Sequence, residues 1–144
     1  MADLFLTHRG VIYPWQCDQM GHMNVMWYVG KFDEATWQMF AEMGLTQGYL
    51  QINNSGMAAV RQEITYRQEL RTGAVISIWT GVLEMRERVI RFYHEMHDDE
   101  STEIAAATII TGVYMDIVRR KASPFPAEIQ NNAQNMIVDY TPVM

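Results

Sequence analysis

The stretch DQMGHMN at residues 18–24, followed directly by VMWYVGKFDEATWQMFAEM at residues 25–43, is the most informative part of the chain. In the second segment apolar side chains recur at steps of three and four residues, the period of a helix with one buried face. Asn24 is a preferred residue for capping a helix N-terminus, and Gly44 is a typical stop. The sequence therefore predicts a helix over residues 25–43, with Asp18 beside its positive end.

This helix also carries apolar residues outside its main stripe. Trp37 aligns with Gly30 and Ala41 rather than with the stripe. A helix that is apolar on a second face is expected to be buried on more than one side. We therefore expect a sheet to wrap around it.

The remaining segments alternate as strands do. A short strand is predicted over residues 7–13, and a long one over residues 58–70 has apolar and charged side chains on opposite faces. Residues 75–85, 89–96 and 104–118 follow after short polar connections. Since short turns join strands antiparallel, the order predicts one strand, one long helix and a four-stranded meander. Pro126 and Glu128 favour a short helix start near the end of the chain.

The composition bounds the class of protein. The 144 residues, 49% of them apolar or aromatic, fit one domain spanning 1–144. The order of the helix and strands described above makes that domain α+β in class. A net charge of −6 argues against nucleic acid or an anionic membrane as a partner. A single cysteine, Cys17, excludes an intrachain disulfide and a thiolate metal cluster. Without a recognisable signal peptide or membrane-spanning run, the chain is expected to be cytoplasmic.

The spacing Asp18-x-x-Gly21-His22-x-Asn24, with Tyr28 following, resembles the hotdog-fold acyl-CoA thioesterases, specifically the 4-hydroxybenzoyl-CoA thioesterase-like branch. The likeness covers nearly the whole chain. It implies an antiparallel sheet wrapped around one long central helix, with a homodimer or dimer of dimers as the active unit. It also implies hydrolysis of a small or medium acyl-CoA to the free acid and coenzyme A, with no metal and no cofactor.

Asp18 is the candidate catalytic residue under this resemblance. A positioned carboxylate can act as a general base on water, or attack the acyl carbon and form an anhydride, and the sequence leaves both open. The thioester oxygen gains negative charge during the reaction and needs hydrogen-bond donors. The backbone N–H groups at the helix start, around Val25 and Met26, are the expected donors.

Three neighbours of Asp18 are expected to shape the loop. Gly21 permits a close turn, and His22 and Asn24 hold the loop for catalysis, although Asn24 would also serve as an ordinary helix cap and His22 could be satisfied by local backbone. Met23 and Val25 depart from the family's usual Gly-His-Val-Asn-Asn. The second departure removes a side-chain amide but keeps the backbone N–H.

Other residues are candidates for substrate binding. Tyr28 and Trp27 could contact the acyl group, or Tyr28 could only pack. Arg86 and Arg88 stand where relatives carry basic residues that contact the nucleotide end of coenzyme A, and paired arginines suit phosphate. The alternative for these arginines is a solvated hairpin tip.

Competing interpretations remain at this stage. Cys17 could be a nucleophile, but in an extended segment it and Asp18 point to opposite faces, which favours a buried structural thiol. A metal site built from Cys17, Asp18 and His22 lacks any recognised ligand spacing. A hotdog hydratase or dehydratase, and a non-catalytic acyl-CoA-binding dimer, are the alternative functions.

Overall fold

The computed structural model describes residues 3–144. Its regular structure consists of one six-stranded sheet, three α-helices and one short 3-10 helix, Pro14–Gln16. Their bounds are β1 Phe5–Val11, α1 Val25–Glu42, α2 Gln47–Ile52, β2 Ser55–Tyr66, β3 Val75–Met85, β4 Val89–Asp98, β5 Ile104–Asp116, β6 Lys121–Ala122 and α3 Ala127–Gln134. The antiparallel sheet with few helices is confirmed, and α1, at 18 residues, is of moderate length. No helix within residues 3–144 is long and apolar enough to span a bilayer.

The strand order corrects the predicted meander. The sheet runs β1-β3-β4-β5-β2, with β6 added on β5, and each pairing is antiparallel. The hairpins β3–β4 and β4–β5 are confirmed, but β2 does not pair with β3. Residues 67–74 instead carry the chain to the opposite side of the sheet, where β3 pairs with β1. The backbone of this crossover bonds the segment that precedes α1, because Leu70 O accepts from Met23 N at 2.7 Å.

Strand β2 is also shorter and less regular than predicted. It ends at Tyr66, and its pairing with β5 shifts between Ala59 and Arg61. A bulge of this kind inserts one unpaired residue and reverses the alternation of faces beyond it. The predicted single alternation over residues 58–70 is therefore wrong. Among the strands of residues 3–144, β2 pairs along one edge with β5 and ends the strand order.

Helix α1 buries its main stripe against one face of the sheet. Phe32 and Ala35 pack with Ile76, Ile78 and Met96, all of them fully buried. The helix ends as predicted, because Met43 is its C-terminal cap and Gly44 adopts a positive φ of 101°. Burial of the four large side chains among these five, all except Ala35, contributes on the order of 2 kcal/mol each to the free energy of folding.

The second apolar face of α1 is open, against expectation. Trp37 is 47% exposed, and Gly30 and Ala41 are exposed as well. Within one chain, the sheet covers only the main stripe of the helix. The open face is therefore available to line a binding site.

A buried polar chain fixes α1 to the sheet. The His94 ring, fully buried on β4, bonds the hydroxyl of Thr36 on α1 at 2.8 Å and that of Thr80 on β3 at 2.6 Å. Thr80 in turn bonds Thr7 on β1 at 2.7 Å. Burial lowers the pKa of His94 to about 3, so the ring stays neutral and its two nitrogens are both satisfied. These hydrogen bonds set the position of α1 along the sheet.

Candidate active site

The residues of the signature form a tight loop directly before α1. Cys17 and Met23 pair as an isolated antiparallel bridge, Asp18 N donates to His22 O at 3.2 Å, and Gly21 N donates to Asp18 O at 3.0 Å. Gly21 closes the turn with a φ of 84°. This conformation is unfavourable for residues that have a side chain, whereas glycine adopts it readily. The loop therefore returns the chain so that Asp18 lies beside the helix start.

The carboxylate of Asp18 is held by two donors. Oδ1 accepts from Met20 N at 2.9 Å, and Oδ2 accepts from Asn24 Nδ2 at 2.8 Å. The Asn24 amide, followed by the backbone N–H of Met20, keeps the pKa of Asp18 below its usual value. The group is therefore ionised at neutral pH and fixed in orientation, as a general base or nucleophile must be.

Asn24 serves the helix and the carboxylate together. Its Oδ1 accepts from Met26 N at 3.0 Å as the N-cap of α1, while its Nδ2 donates to Asp18. The predicted capping role is confirmed, and it coexists with the contact to Asp18. Met26 N is thus already occupied, whereas Val25 N donates to no acceptor within residues 3–144. Val25 N–H is the donor at this helix start that remains for a ligand.

The side chains of His22 and Cys17 have partners in the crossover segment 67–74. The Nε2 of His22 lies 3.5 Å from Glu69 Oε1, and the Cys17 sulfur lies 3.4 Å from the Thr72 hydroxyl. The side chain of His22 thus fastens the loop to the crossover segment 67–74 rather than contacting Asp18. Within the described part of the chain, no group of three or more histidine, cysteine, aspartate or glutamate side chains is arranged to hold a metal ion.

Tyr28 and Trp27 lie with the core. Tyr28 is buried, stacks edge-on against Tyr66, and donates to Gln68 O at 3.1 Å. Burial raises the pKa of Tyr28 to about 12, so its hydroxyl remains a neutral donor. Trp27 packs partly buried against the same cluster. These contacts make Tyr28 a support for the crossover, and neither residue lines the main cavity.

A cavity of about 370 Å³ lies between the open face of α1 and strand β2, within the size range of ligand pockets. It begins at Met26, next to the cap, and its floor includes Phe92 and Ile110. The helix contributes one wall and β2 the other. The wall residues are Met26, Val29, Gly30, Asp33, Thr36, Trp37 and Phe40 on α1, and Met57, Ala58, Ala59 and Gln62 on β2.

Arg86 and Arg88 lie at the other end of the sheet. They occupy the β3–β4 turn, are exposed, and Arg86 lies 3.3 Å from Glu84. The loop of Asp18 is instead tied to the residues that precede β3. Since β3 has 11 residues, the two ends are separated by about 30 Å along the strand. The arginines of one chain therefore do not flank its own Asp18.

Comparison with known proteins identifies the family. The model of the thioesterase-like superfamily matches residues 12–133 of the chain. The chain belongs to this superfamily. Membership makes it a thioester hydrolase, as the resemblance of its signature implied.

Individual relatives of the superfamily are distant in sequence but close in fold. The betainyl-CoA thioesterase of Pseudomonas aeruginosa is 19% identical over 129 residues, which are 90% of this chain and 81% of the relative. A Staphylococcus aureus protein solved in complex with CoA superposes with a TM-score of 0.89 at 15% identity, covering 96% of this chain and 89% of the other. The 1,4-dihydroxy-2-naphthoyl-CoA thioesterase of Synechocystis gives 0.81 at 15% identity, with 93% and 98% covered. The hotdog fold of these thioesterases is the fold of this chain.

The thioesterase signature is assembled in space, but the cavity walls were missed from the sequence. Asp18 accepts a hydrogen bond from Asn24, and Val25 is the first residue of α1. Asp33 and the β2 residues were not predicted, because facing a cavity is a property of the packed sheet. The off-stripe position of Trp37 was the available signal, and it was interpreted as a second buried face.

Gly30 lies in the middle of this thioesterase helix, with nothing within 4 Å of a Cβ built on it. Because glycine is disfavoured in a helix interior by about 1 kcal/mol, we expect Gly30→Ala to raise the free energy of unfolding by about that amount. Urea denaturation followed by circular dichroism measures the change. Gly81→Ala is the contrasting control, since its Cβ would lie 2.5 Å from a Val138 methyl and should destabilise the fold. If Gly30→Ala did not raise the free energy of unfolding, the space beside Gly30 would be filled in solution.

Proposed function

We propose that this protein hydrolyses acyl-CoA thioesters with Asp18 as the catalytic carboxylate and Val25 N–H as the donor to the thioester oxygen. The observation that carries the proposal is their common position at the start of α1, where the cavity also begins. The carboxylate is oriented by two donors, and the N–H has no acceptor within residues 3–144. The cavity would receive the acyl group.

The chemistry follows from these two groups. As a general base, Asp18 takes a proton from water while the water oxygen bonds to the acyl carbon, and the carbonyl oxygen becomes an oxyanion at Val25 N–H. Collapse of this intermediate re-forms the carbonyl, breaks the C–S bond, and releases coenzyme A, which receives the proton. In the covalent variant Asp18 itself displaces the thiolate, and water then cleaves the anhydride. The helix dipole stabilises the oxyanion in both variants.

The partner subunit would complete the site. The unpaired edge of β2 suits pairing with the β2 of a second copy, which removes the exposed edge that a lone sheet leaves. In each chain β2 begins near the β3–β4 turn, because Tyr114 pairs with Met57 on β2 and its backbone N–H donates to Arg88 O in the turn. The other end of β2 lies near the loop of Asp18, because the following crossover segment bonds that loop. Antiparallel pairing of two β2 strands therefore brings the arginine turn of one copy toward the Asp18 of the other.

Arg86 and Arg88 are then candidates for binding the phosphates of coenzyme A. We expect Arg86→Ala with Arg88→Ala to raise KM by about tenfold with little change in kcat, because a phosphate contact remote from the reacting bond stabilises ground and transition states equally. Steady-state thiol release measures both constants. Replacing Arg9 and Arg91, which lie on β1 and β4, serves as the matched control. A loss confined to kcat would contradict a phosphate-binding role.

Mixing subunits tests which copy supplies the arginines. When the double arginine variant is combined with Asp18→Asn, a hybrid dimer has one site with a native Asp18. If the arginines act across the interface, that site also has native arginines and its KM returns to the wild-type value. If they act within one chain, the hybrid keeps the raised KM.

A thiol-release screen over short, branched, aromatic, cationic and long-chain acyl-CoAs tests the function itself. Cationic acyl groups are included because betainyl-CoA is the substrate in the name of the Pseudomonas relative. Release above the buffer rate for at least one class is expected. Binding of acyl-CoA without any release would assign the chain to acyl-CoA binding rather than hydrolysis.

A further inference from the structure

The cavity beside α1 has one ionisable side chain in its lining, that of Asp33. No lysine, arginine or histidine within residues 3–144 pairs with it as a salt bridge. The adjacent Glu34, in contrast, lies 3.5 Å from His8 on the opposite side of the helix. Asp33 therefore presents an uncompensated negative charge to a site that is otherwise neutral and mainly apolar.

Trp37 stands one turn further along the same face. It is 47% exposed, and its ring meets Phe40 edge-on at 5.6 Å. Gly30 stands nearly one turn before Asp33 and adds no side chain, which leaves room beside the carboxylate. An aromatic ring and a carboxylate side by side on one wall of an apolar space are groups that bind an alkylated ammonium ion, because the ring supplies a π face and the carboxylate a counter-charge.

We propose that Asp33 and Trp37 select an acyl group that carries a cationic nitrogen at its far end. A neutral acyl chain would gain nothing from Asp33, whereas an unpaired cation would be costly to move from water into the apolar part of the cavity. With Asp33 present, the charge is compensated on entry. The inference rests on the proposed function, because the carbonyl bound at Val25 N–H sets the position of the acyl group.

Helix geometry gives an approximate length for that acyl group. Asp33 lies eight residues beyond Val25, a separation of about 12 Å along the axis. Allowing about 4 Å between the cation and the carboxylate, the acyl chain needs about six carbons to span the remainder. A betainyl group, with one carbon between carbonyl and nitrogen, is too short to reach Asp33. The preferred substrate is therefore a longer cationic acyl thioester.

The test compares trimethylammonio-hexanoyl-CoA with its neutral isostere, in which a tert-butyl group replaces the trimethylammonium. We expect kcat/KM to favour the cationic substrate by about tenfold or more, and the same pair built on an acetyl spacer to show a much smaller preference. Asp33→Asn should bring the preference close to one, because kcat/KM should fall about tenfold more for the cationic substrate than for the neutral isostere. Glu34→Gln, which removes the neighbouring charge outside the cavity, should retain the preference. Trp37→Leu should reduce it.

Three outcomes would overturn the inference. Equal kcat/KM for the charged and neutral pair would mean that Asp33 does not select charge, and an equal loss on both substrates in Asp33→Asn would assign this carboxylate to the chemistry instead. Binding of the corresponding CoA thioethers, which cannot be hydrolysed, is measured on the same variants. Cation-selective binding without hydrolysis would refute the proposed function and support the inference, whereas equal binding of both thioethers would refute the inference.

Discussion

Asp18→Asn is expected to lower kcat by about a thousandfold while the protein stays folded, the range in which a general base contributes to catalysis. Asparagine keeps an acceptor oxygen for Met20 N but has no charge with which to take a proton or attack carbon. The asparagine side chain is close in size to that of aspartate, and position 18 lies in a surface loop, so the packing of α1 should not change. Single-turnover thiol release, with circular dichroism as the check on folding, measures the effect.

Asp98→Asn is the matched control for this substitution. Asp98 Oδ1 accepts from Glu100 N at 3.0 Å, the same bond to the second following residue that Asp18 forms with Met20. Asp98 is the last residue of β4, directly before the β4–β5 turn, and it does not line the cavity. If both substitutions slowed turnover equally, the loss would reflect turn stability. If neither did, Asp18 would be only a turn residue and the catalytic proposal would fail.

The sequence predicted the local elements because their signals are local. Residues 75–85 are apolar on both faces between Gly73 and the charged turn at residues 86–88, and β3 has these bounds. The start of α1 was likewise given by Asn24, whose side chain caps it. Capping and periodicity act within a few residues, so they can be read without the rest of the fold.

The pairing of β2 could not be obtained in this way. A strand that is followed by a short polar segment fits a hairpin, yet residues 67–74 cross to the far side of the sheet. Contacts distant in sequence hold this segment, among them Tyr28 with Gln68 O and Met23 N with Leu70 O. The same limit applies to Asp33, which became a candidate only when the cavity placed it opposite β2.

Asn24→Asp is expected to separate the two roles of Asn24. Aspartate is an equally good N-cap, so the free energy of unfolding should change little at neutral pH. The amide donor to Asp18 is lost, however, and a second carboxylate replaces it at the distance of a hydrogen bond. The main cause of the lowered pKa of Asp18 then becomes a repulsion that raises it.

The pH profile is the readout for this pair of carboxylates. In the wild type the pKa of Asp18 lies below its usual value, so kcat/KM should show no acid limb from this group above about pH 4. In Asn24→Asp an acid limb should appear at higher pH than in the wild type, with kcat/KM low at its foot and recovering as pH rises. An unshifted profile would contradict the positioning role.

Asn24→Ala provides the complementary comparison. It removes the cap as well as the donor, so the free energy of unfolding should fall by about 1 kcal/mol. It adds no negative charge, so its acid limb should move less than that of Asn24→Asp. If the loss of kcat is larger in the variant with the larger pH shift, the Asn24 amide is the group that keeps Asp18 ionised and oriented. If the loss is larger in the variant with the lower free energy of unfolding, Asn24 is only a helix cap.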